Sequence, residues 1–256
     1  MIHLKALALS LILSPLWASL PAFAFDRDAL ERLRETNRCP GCNLGSADLR
    51  EFDLRGANLF EANLAGANLG GVDLRSANLH RANLYNANLS GASLADADFY
   101  SANLQYANLQ LADLTEANLA DASLARADLR RAKLTDAILS TANLSEAYLA
   151  GANLSNANLQ KASLFRANLE NVNLTGASLI NADLRGANLN GANLSSANLQ
   201  YAALANTNIS RAQLSNTNLE GTLLQNTEFF PGVCVIDRVV GCVRPSASPI
   251  FPGQSN

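Results

Sequence analysis

From Leu44 to Phe229 every fifth residue is Leu, interrupted only by Phe99, Ile209 and Phe229, which makes 38 centres in one unbroken frame. Two residues before each centre (position i−2) stands Ala, as in Ala47, Ala57, Ala62 and Ala67. The exceptions are Cys42, Phe52, Val72, Val172, Thr207, Thr217, Thr222 and Thr227. Asn or Asp fills most of the positions between (i−1). Period five excludes both regular secondary structures. On an α-helix five residues advance about 500°, so successive Leu residues step about 140° apart and no apolar stripe forms. On a continuous strand an odd period throws alternate Leu residues to opposite faces. The chain must therefore turn once per repeat. Within a short extended piece the i−2 and i side chains share an inward face and i−1 points away. Positions i+1 and i+2 then make a corner, which suits Gly56, Gly66, Gly71, Gly91, Gly151, Gly176, Gly186, Gly191 and Gly221.

Runs such as Ala57-Asn58-Leu59 and Ala187-Asn188-Leu189-Asn190-Gly191-Ala192-Asn193-Leu194 resemble the pentapeptide-repeat family. The resemblance covers residues 42–230. It implies an all-β fold, a right-handed quadrilateral β-helix with four repeats in each coil. Stacked at the usual strand spacing, about nine and a half coils give a rod of about 45 Å. Stability in such a solenoid accrues coil by coil, and its two ends are the weak points.

Both ends carry expected lids. Asp26 to Asn37 reads as a short helix with Asp28 and Glu31 in capping-box spacing, and Phe25, Ala29, Leu30 and Leu33 fall on the side that covers the first coil. Residues 25–41 thus form an N-terminal cap ending in the turn Cys39-Pro40-Gly41-Cys42. At the other end, residues 231–244 read as a small hairpin cap closed by a disulfide between Cys234 and Cys242, and residues 245–256 as a disordered tail. Ahead of the cap, Lys5, the apolar stretch Ala6 to Leu20 and Ala22-Phe23-Ala24 have the layout of a secretory signal peptide over residues 1–24, with cleavage leaving Phe25 first. No other segment approaches the roughly 20 apolar residues of a membrane helix, so no stable membrane insertion is expected after cleavage. An even number of cysteines in an exported chain points to disulfides. The Cys39–Cys42 pair resembles the exported members of the family found in cyanobacteria, where a Cys-x-x-Cys leads into the first repeat, and this favours a structural disulfide. A redox pair and a metal site are the alternatives. A redox Cys-x-x-Cys normally opens a helix that activates its thiol, whereas this one opens a β-coil.

Charged residues are 16% of the chain and the formal net charge is −3, which gives no concentrated basic face for nucleic acid. Beyond residue 24 the single histidine is His80, which excludes a His-dependent triad or a multi-His metal site. Because the frame never slips, outward residues 20 apart are expected to stack in columns about 5 Å apart. Asp96, Glu116 and Asp136 form an acidic column able to hold a cation. Phe60, His80 and Tyr100 form an aromatic column suited to a ring, a sugar or a protein contact. Ile138 and Tyr148 replace the outward Asn on what are expected to be adjacent faces, with Lys133 nearby, and suggest a local contact surface. Columns such as Asn58–Asn78, and Asn143 with its neighbours, read as register-fixing amide ladders.

Export, shape and the lack of catalytic residues point to a non-catalytic structural or protein-interaction module of the periplasm or thylakoid lumen. Such a module needs no cofactor, binds no nucleic acid and presents its surface to an unidentified protein partner. A binder of small ligands or cations through the columns is the second reading. The third is a DNA mimic acting on a topoisomerase, by resemblance to some family members. Against it, the repeats hold 17 acidic and 12 basic residues spread over all faces, whereas those mimics are more acidic and cytoplasmic.

Overall fold

Every repeat brings five backbone N–H groups, and the fold is the arrangement that satisfies them. The computed structural model describes residues 25–227. In the repeat centred on Leu84, Ala82 N–H closes a turn onto Leu79 C=O (2.9 Å) and Asn83 N–H reaches Ala62 C=O in the preceding coil (2.9 Å). Leu84 and Asn86 donate to Asn103 and Gln105 of the following coil (2.7 and 2.9 Å). The fifth donor, Tyr85 N–H, turns back to the Asn83 side chain, Oδ1, at 3.2 Å. That last bond explains the recurring Asn or Asp at i−1, since a short side-chain acceptor two residues upstream bonds the one N–H that the coils leave over.

Parallel bridges within the repeats join residues 20 apart, from Arg38↔Asn58 through Asn63↔Asn83 and Asn83↔Asn103 to Ala203↔Leu223. Each coil therefore takes four repeats, one per side, as expected from the resemblance. We label the sides by their i−1 residues: side A carries Asn63, Asn83 and Asn103; side B Asn68, Asn88 and Asn108; side C Asp73, Ser93 and Asp113; side D Asn78, Asp98 and Asn118. The i−2 and i side chains form the core. Leu44 to Leu204, with Phe99 among them, are sealed from solvent, each Leu contributing about 1.5–3 kcal/mol before chain entropy is subtracted. Phe52 is too large for the inward i−2 site. It is only half-buried, with the Arg34 guanidinium 5.0 Å from its ring centroid. The late threonines at i−2 stay inward because each hydroxyl finds a carbonyl, Thr207 donating to Leu184 C=O at 2.8 Å and Thr227 to Leu204 C=O at 2.7 Å.

Every described corner from Ser46 onward except that at Glu51 turns through a residue of positive φ at i+2, the sign a type II turn requires. Gly56, Gly66 and Gly71 adopt it without strain, but Tyr106, Leu111, Thr141 and Tyr201 adopt it too, with φ between 59° and 61°. An αL residue with a Cβ costs roughly 1–2 kcal/mol. What holds it there is its N–H, which donates to the next coil, as Leu111 does to Arg130 C=O at 3.1 Å.

Helix α1 (Arg27–Thr36) closes the first coil. Its N-cap is Asp26, whose Oδ1 accepts from Asp28 N–H at 2.9 Å, and its C-cap is Asn37 in the left-handed region. The expected capping box on Asp28 and Glu31 is thereby corrected. Asp26 holds the extended conformation of a cap, and Asp28 already lies inside the first turn. Ala29 and Leu33 are buried against the coil, and Phe25 and Leu30 pack partly buried beside them. Phe25 adds an antiparallel bridge to Leu44. Cys39 and Cys42 are bonded to one another, with Cα atoms 5.3 Å apart. The signal-like residues 1–24, the cap at 231–244 with Cys234 and Cys242, and the tail at 245–256 lie outside the described residues.

Three substitutions test these contacts. Asn83→Ala, which removes the acceptor for Tyr85 N–H and a rung of an amide ladder, should lower stability by about 1–2 kcal/mol in urea unfolding. Ala203→Asn supplies an acceptor where side A has none and should shift the midpoint upward. Leu33→Asp should detach α1 and expose the first coil, so that light scattering reports concentration-dependent association.

Candidate interaction surfaces

The i−1 and i+1 side chains of one repeat lie on the same side, and this geometry organises the surface. The recurring Asp-Leu-Arg tripeptide uses it. Arg50 grips Asp48 with two bonds, Nε to Oδ1 at 2.9 Å and Nη2 to Oδ2 at 2.7 Å, and Arg75–Asp73, Arg130–Asp128 and Arg185–Asp183 repeat the arrangement. Arg55 adds a bond to Asp73 from the coil before, at 2.7 Å. The Arg50 guanidinium, then its backbone N–H, hold the Asp48 carboxyl down to about 2. Arg75, and after it Arg55, hold Asp73 well below the usual carboxylate range, and Arg185 lowers Asp183. The spacing i, i+2 was visible in the sequence, but it signals nothing until the turn folds both side chains over one side.

Phe60, His80 and Tyr100 do form a column, at successive i+1 positions along side D. Their rings meet edge to face, with centroids 5.4 and 4.9 Å apart and planes at 67° and 71°. They present ring edges toward one another rather than a flat stack, and Phe60 and His80 are half-buried. Asp96, Glu116 and Asp136 line the corner between sides C and D, all exposed. Among the described residues no group of three or more His, Cys, Asp or Glu is placed to hold a metal ion.

Ile138 and Tyr148 require a correction. Ile138 bridges Asn118 on side D, and Tyr148 bridges Asp128 on side B. Ten residues are two repeats, half a coil, so the two side chains point in opposite directions and share no surface. Lys133 lies on side C, between them, with Nζ 3.3 Å from Asp113 Oδ2. Amide ladders run on sides A and B, where Asn63, Asn83 and Asn103 each donate Nδ2 to the Asn one coil earlier at 2.9–3.2 Å, as do Asn88 and Asn108, and side C adds a rung from Asn173 to Asn153 at 2.9 Å. At Asn58, Asn78 and Asn143 the bond drawn to Oδ1 comes instead from the N–H two residues on.

The sequence columns missed one corner. Between sides A and B, Tyr106 meets Tyr85 edge to face at 5.5 Å and accepts at its hydroxyl from Arg126 Nη1 at 3.0 Å. Arg126 also donates to Glu146 at 2.8 Å. A signal existed, since 106, 126 and 146 share one i+2 column, whereas Tyr85 belongs to an i+1 column and joins only through the turn geometry. In a groove beside α1, lined by Arg34, Asp48, Arg50, Glu51 and Phe52, Arg50 already pairs with Asp48 and Arg34 with the Phe52 ring.

The model of pentapeptide repeats, which spans eight copies of the repeat, matches over residues 39–75, 77–115, 112–151, 142–179, 173–211 and 187–226. The chain belongs to the pentapeptide-repeat family, whose fold is a right-handed β-helix. Among solved structures it is similar to HetL, a pentapeptide repeat protein involved in heterocyst differentiation regulation in Nostoc sp. strain PCC 7120. The identity is 35%, with 68% of this chain and 84% of that one covered and a TM-score of 0.35. It is also similar to AT2G44920 from the Arabidopsis thaliana thylakoid lumen, at 31% identity over 33% of this chain and 59% of that chain, TM-score 0.33. A third, alr5209 of Nostoc, is 37% identical over 46% and 84%, with a TM-score of 0.18. No curated protein matches.

The acid pairs give a signed expectation. A carboxyl whose folded pKa is depressed stabilises the fold above its unfolded value of about 4, and that contribution is lost as pH falls through the folded value. For Asp48 the window runs from about pH 4 down to about 2. Carbon-detected NMR should place the Asp48 midpoint near the lower limit, and Arg50→Ala should return it towards the ordinary range.

Proposed function

We propose that this protein is a non-catalytic interaction module, exported to a periplasm or thylakoid lumen, that offers the sides of its coil to a protein partner. The observation that carries the reading is the internal pairing of the most strongly perturbed carboxylates. The Asp side chains most altered by their surroundings are held by neighbouring arginines in regular bidentate pairs, so their perturbation is structural and leaves no acid or base poised for catalysis. What the sides offer instead is a rigid, periodic surface with exposed aromatic and aliphatic side chains, among them Tyr85, Tyr148 and Tyr201.

Export rests on the signal-like residues 1–24 and on the Cys39–Cys42 pair, which suits an oxidising compartment. Among the described residues no helix is long and apolar enough to cross a membrane. A lumenal relative, AT2G44920, adds a precedent within the family. The DNA-mimic reading is weaker here, since the acidic side chains lie on several sides and many are neutralised by Arg.

Fractionation followed by N-terminal sequencing tests the compartment. The expected result is a chain beginning at Phe25 in the periplasmic or lumenal fraction, and full-length protein in the cytosol would overturn it. For the interaction itself, photo-crosslinking residues placed one at a time on each side should capture a discrete partner from at least one. Capture from none under varied growth conditions would sink the reading.

A further inference from the structure

We infer that side B, over the three coils carrying Asn108, Asp128 and Tyr148, is the docking surface for an acidic segment of a partner protein that carries an apolar or aromatic side chain. This deepens the interaction reading above and rests on it. The parallel bridges Asn108↔Asp128 and Asp128↔Tyr148 stack the three rungs directly on one another. On the first rung Tyr106 occupies one corner and Leu111 the other, 42% and 64% exposed. On the second, Arg126 and Arg131 take the same two corners, with Arg130 on the side between them. On the third, Tyr148 stands upright on the side, 50% exposed.

Three observations select this region. The first is that three guanidiniums, Arg126, Arg130 and Arg131, share one rung of side B and its corners against two carboxylates, Asp128 and Glu146, in a repeat domain that is otherwise acidic on balance. Next, exposed Tyr and Leu beside Arg is the composition of an interface centre, where a large side chain is buried and a guanidinium pairs across the contact. Lastly, Tyr148 stands where an acceptor should, since a tyrosine ring at i−1 cannot bond the N–H two residues on as Asn83 does. The chain gives up a structural bond at the one side-B position between these coils that would otherwise be flat.

Charge decides the partner's sign. Asp128 is held by Arg130 and by Gln110 Nε2 at 2.8 Å, and Glu146 is held by Arg126. Among the described residues no carboxylate lies within ion-pair distance of Arg131, which is exposed. A carboxylate arriving from outside finds Arg131 and the outer edges of two further guanidiniums within the span of one coil side, while Tyr106, Leu111 and Tyr148 cover an apolar group. Arginine prefers such planar, bidentate carboxylate partners.

The test uses the chain from Phe25 onward with its cysteines intact. A random twelve-residue peptide library is panned against it with counter-selection on Arg131→Glu. The enriched peptides should be net acidic with at least one aromatic or large aliphatic residue. Their binding should weaken at least tenfold in Arg131→Glu and in Tyr148→Ala, fall with rising salt, and stay unchanged in Asp96→Asn on the opposite edge. An absence of enrichment, peptides without acidic bias, or binding indifferent to those two substitutions would overturn the inference. Equal, equally sensitive binding of a single-stranded oligonucleotide would overturn it as well, in favour of a nucleic-acid surface. Circular dichroism of each variant separates lost contact from lost fold. Crosslinkers at 103, 148, 173 and 158, one on each side, separate the two readings. Capture from another side alone removes this inference and leaves the interaction module standing, whereas capture from none removes both.

Discussion

One backbone donor governs this molecule. Of the five N–H groups in each repeat, four bond to the turn or to a neighbouring coil, and the one at i+1 points where no carbonyl lies. Leaving a buried or half-buried donor unmatched costs about 1–3 kcal/mol, and the loss would recur in every repeat. The Asn or Asp at i−1 removes it, as Asn83 does for Tyr85 N–H and Asn103 for Gln105 N–H. This requirement also shortens the menu of side chains on each side. With i−2 and i committed to the core and i−1 to the backbone, variation is left to i+1 and i+2, and there the arginines and most of the aromatics of the repeats are concentrated.

The same donor explains why the pairs of opposite charge take the form they do. An Asp at i−1 accepts the i+1 N–H with one oxygen and leaves the other free, and an Arg at i+1 reaches both oxygens through its fork. The result neutralises the carboxylate where it stands and depresses its pKa. Perturbed acids mark a catalytic site only when the perturbing group is not itself part of a repeated structural pattern. In Asp48, Asp73, Asp128 and Asp183 the pattern is plain, because the same tripeptide with the same bonds recurs on three different sides.

The coil was largely legible in the sequence because period five leaves no regular alternative, and the inward and outward positions follow from it without further information. Column membership was legible through the family resemblance, which implies the four repeats of a coil that the period alone leaves open. Side membership was harder. Ile138 and Tyr148 look like neighbours in a string of letters and stand on opposite sides of the rod, because half a coil separates them. The cap of α1 was obscured for a local reason, as Asp26 and Asp28 are both acceptable caps and only the extended backbone at Asp26 distinguishes them. The edge-to-face meeting of Tyr85 with Tyr106 joins an i+1 and an i+2 column, which no single period reveals.

Those differences bear on where function can reside. In a solenoid satisfied coil by coil, stability divides into local terms, each set by a repeat and its neighbours. A side position that abandons the i−1 acceptor forgoes about 1 kcal/mol of hydrogen bonding, and natural proteins depart from their own local rules most often where function demands it. Lys133, Ile138 and Tyr148 each do so within one coil. Lys133 recovers an ion pair with Asp113. Ile138 stands 42% exposed on side D, above Asn118. Tyr148 alone stands above a rung of arginines and between exposed side chains of the same kind. The departure from the repeat and the chemistry of its surroundings coincide there, and that coincidence distinguishes side B from three sides built on the same frame.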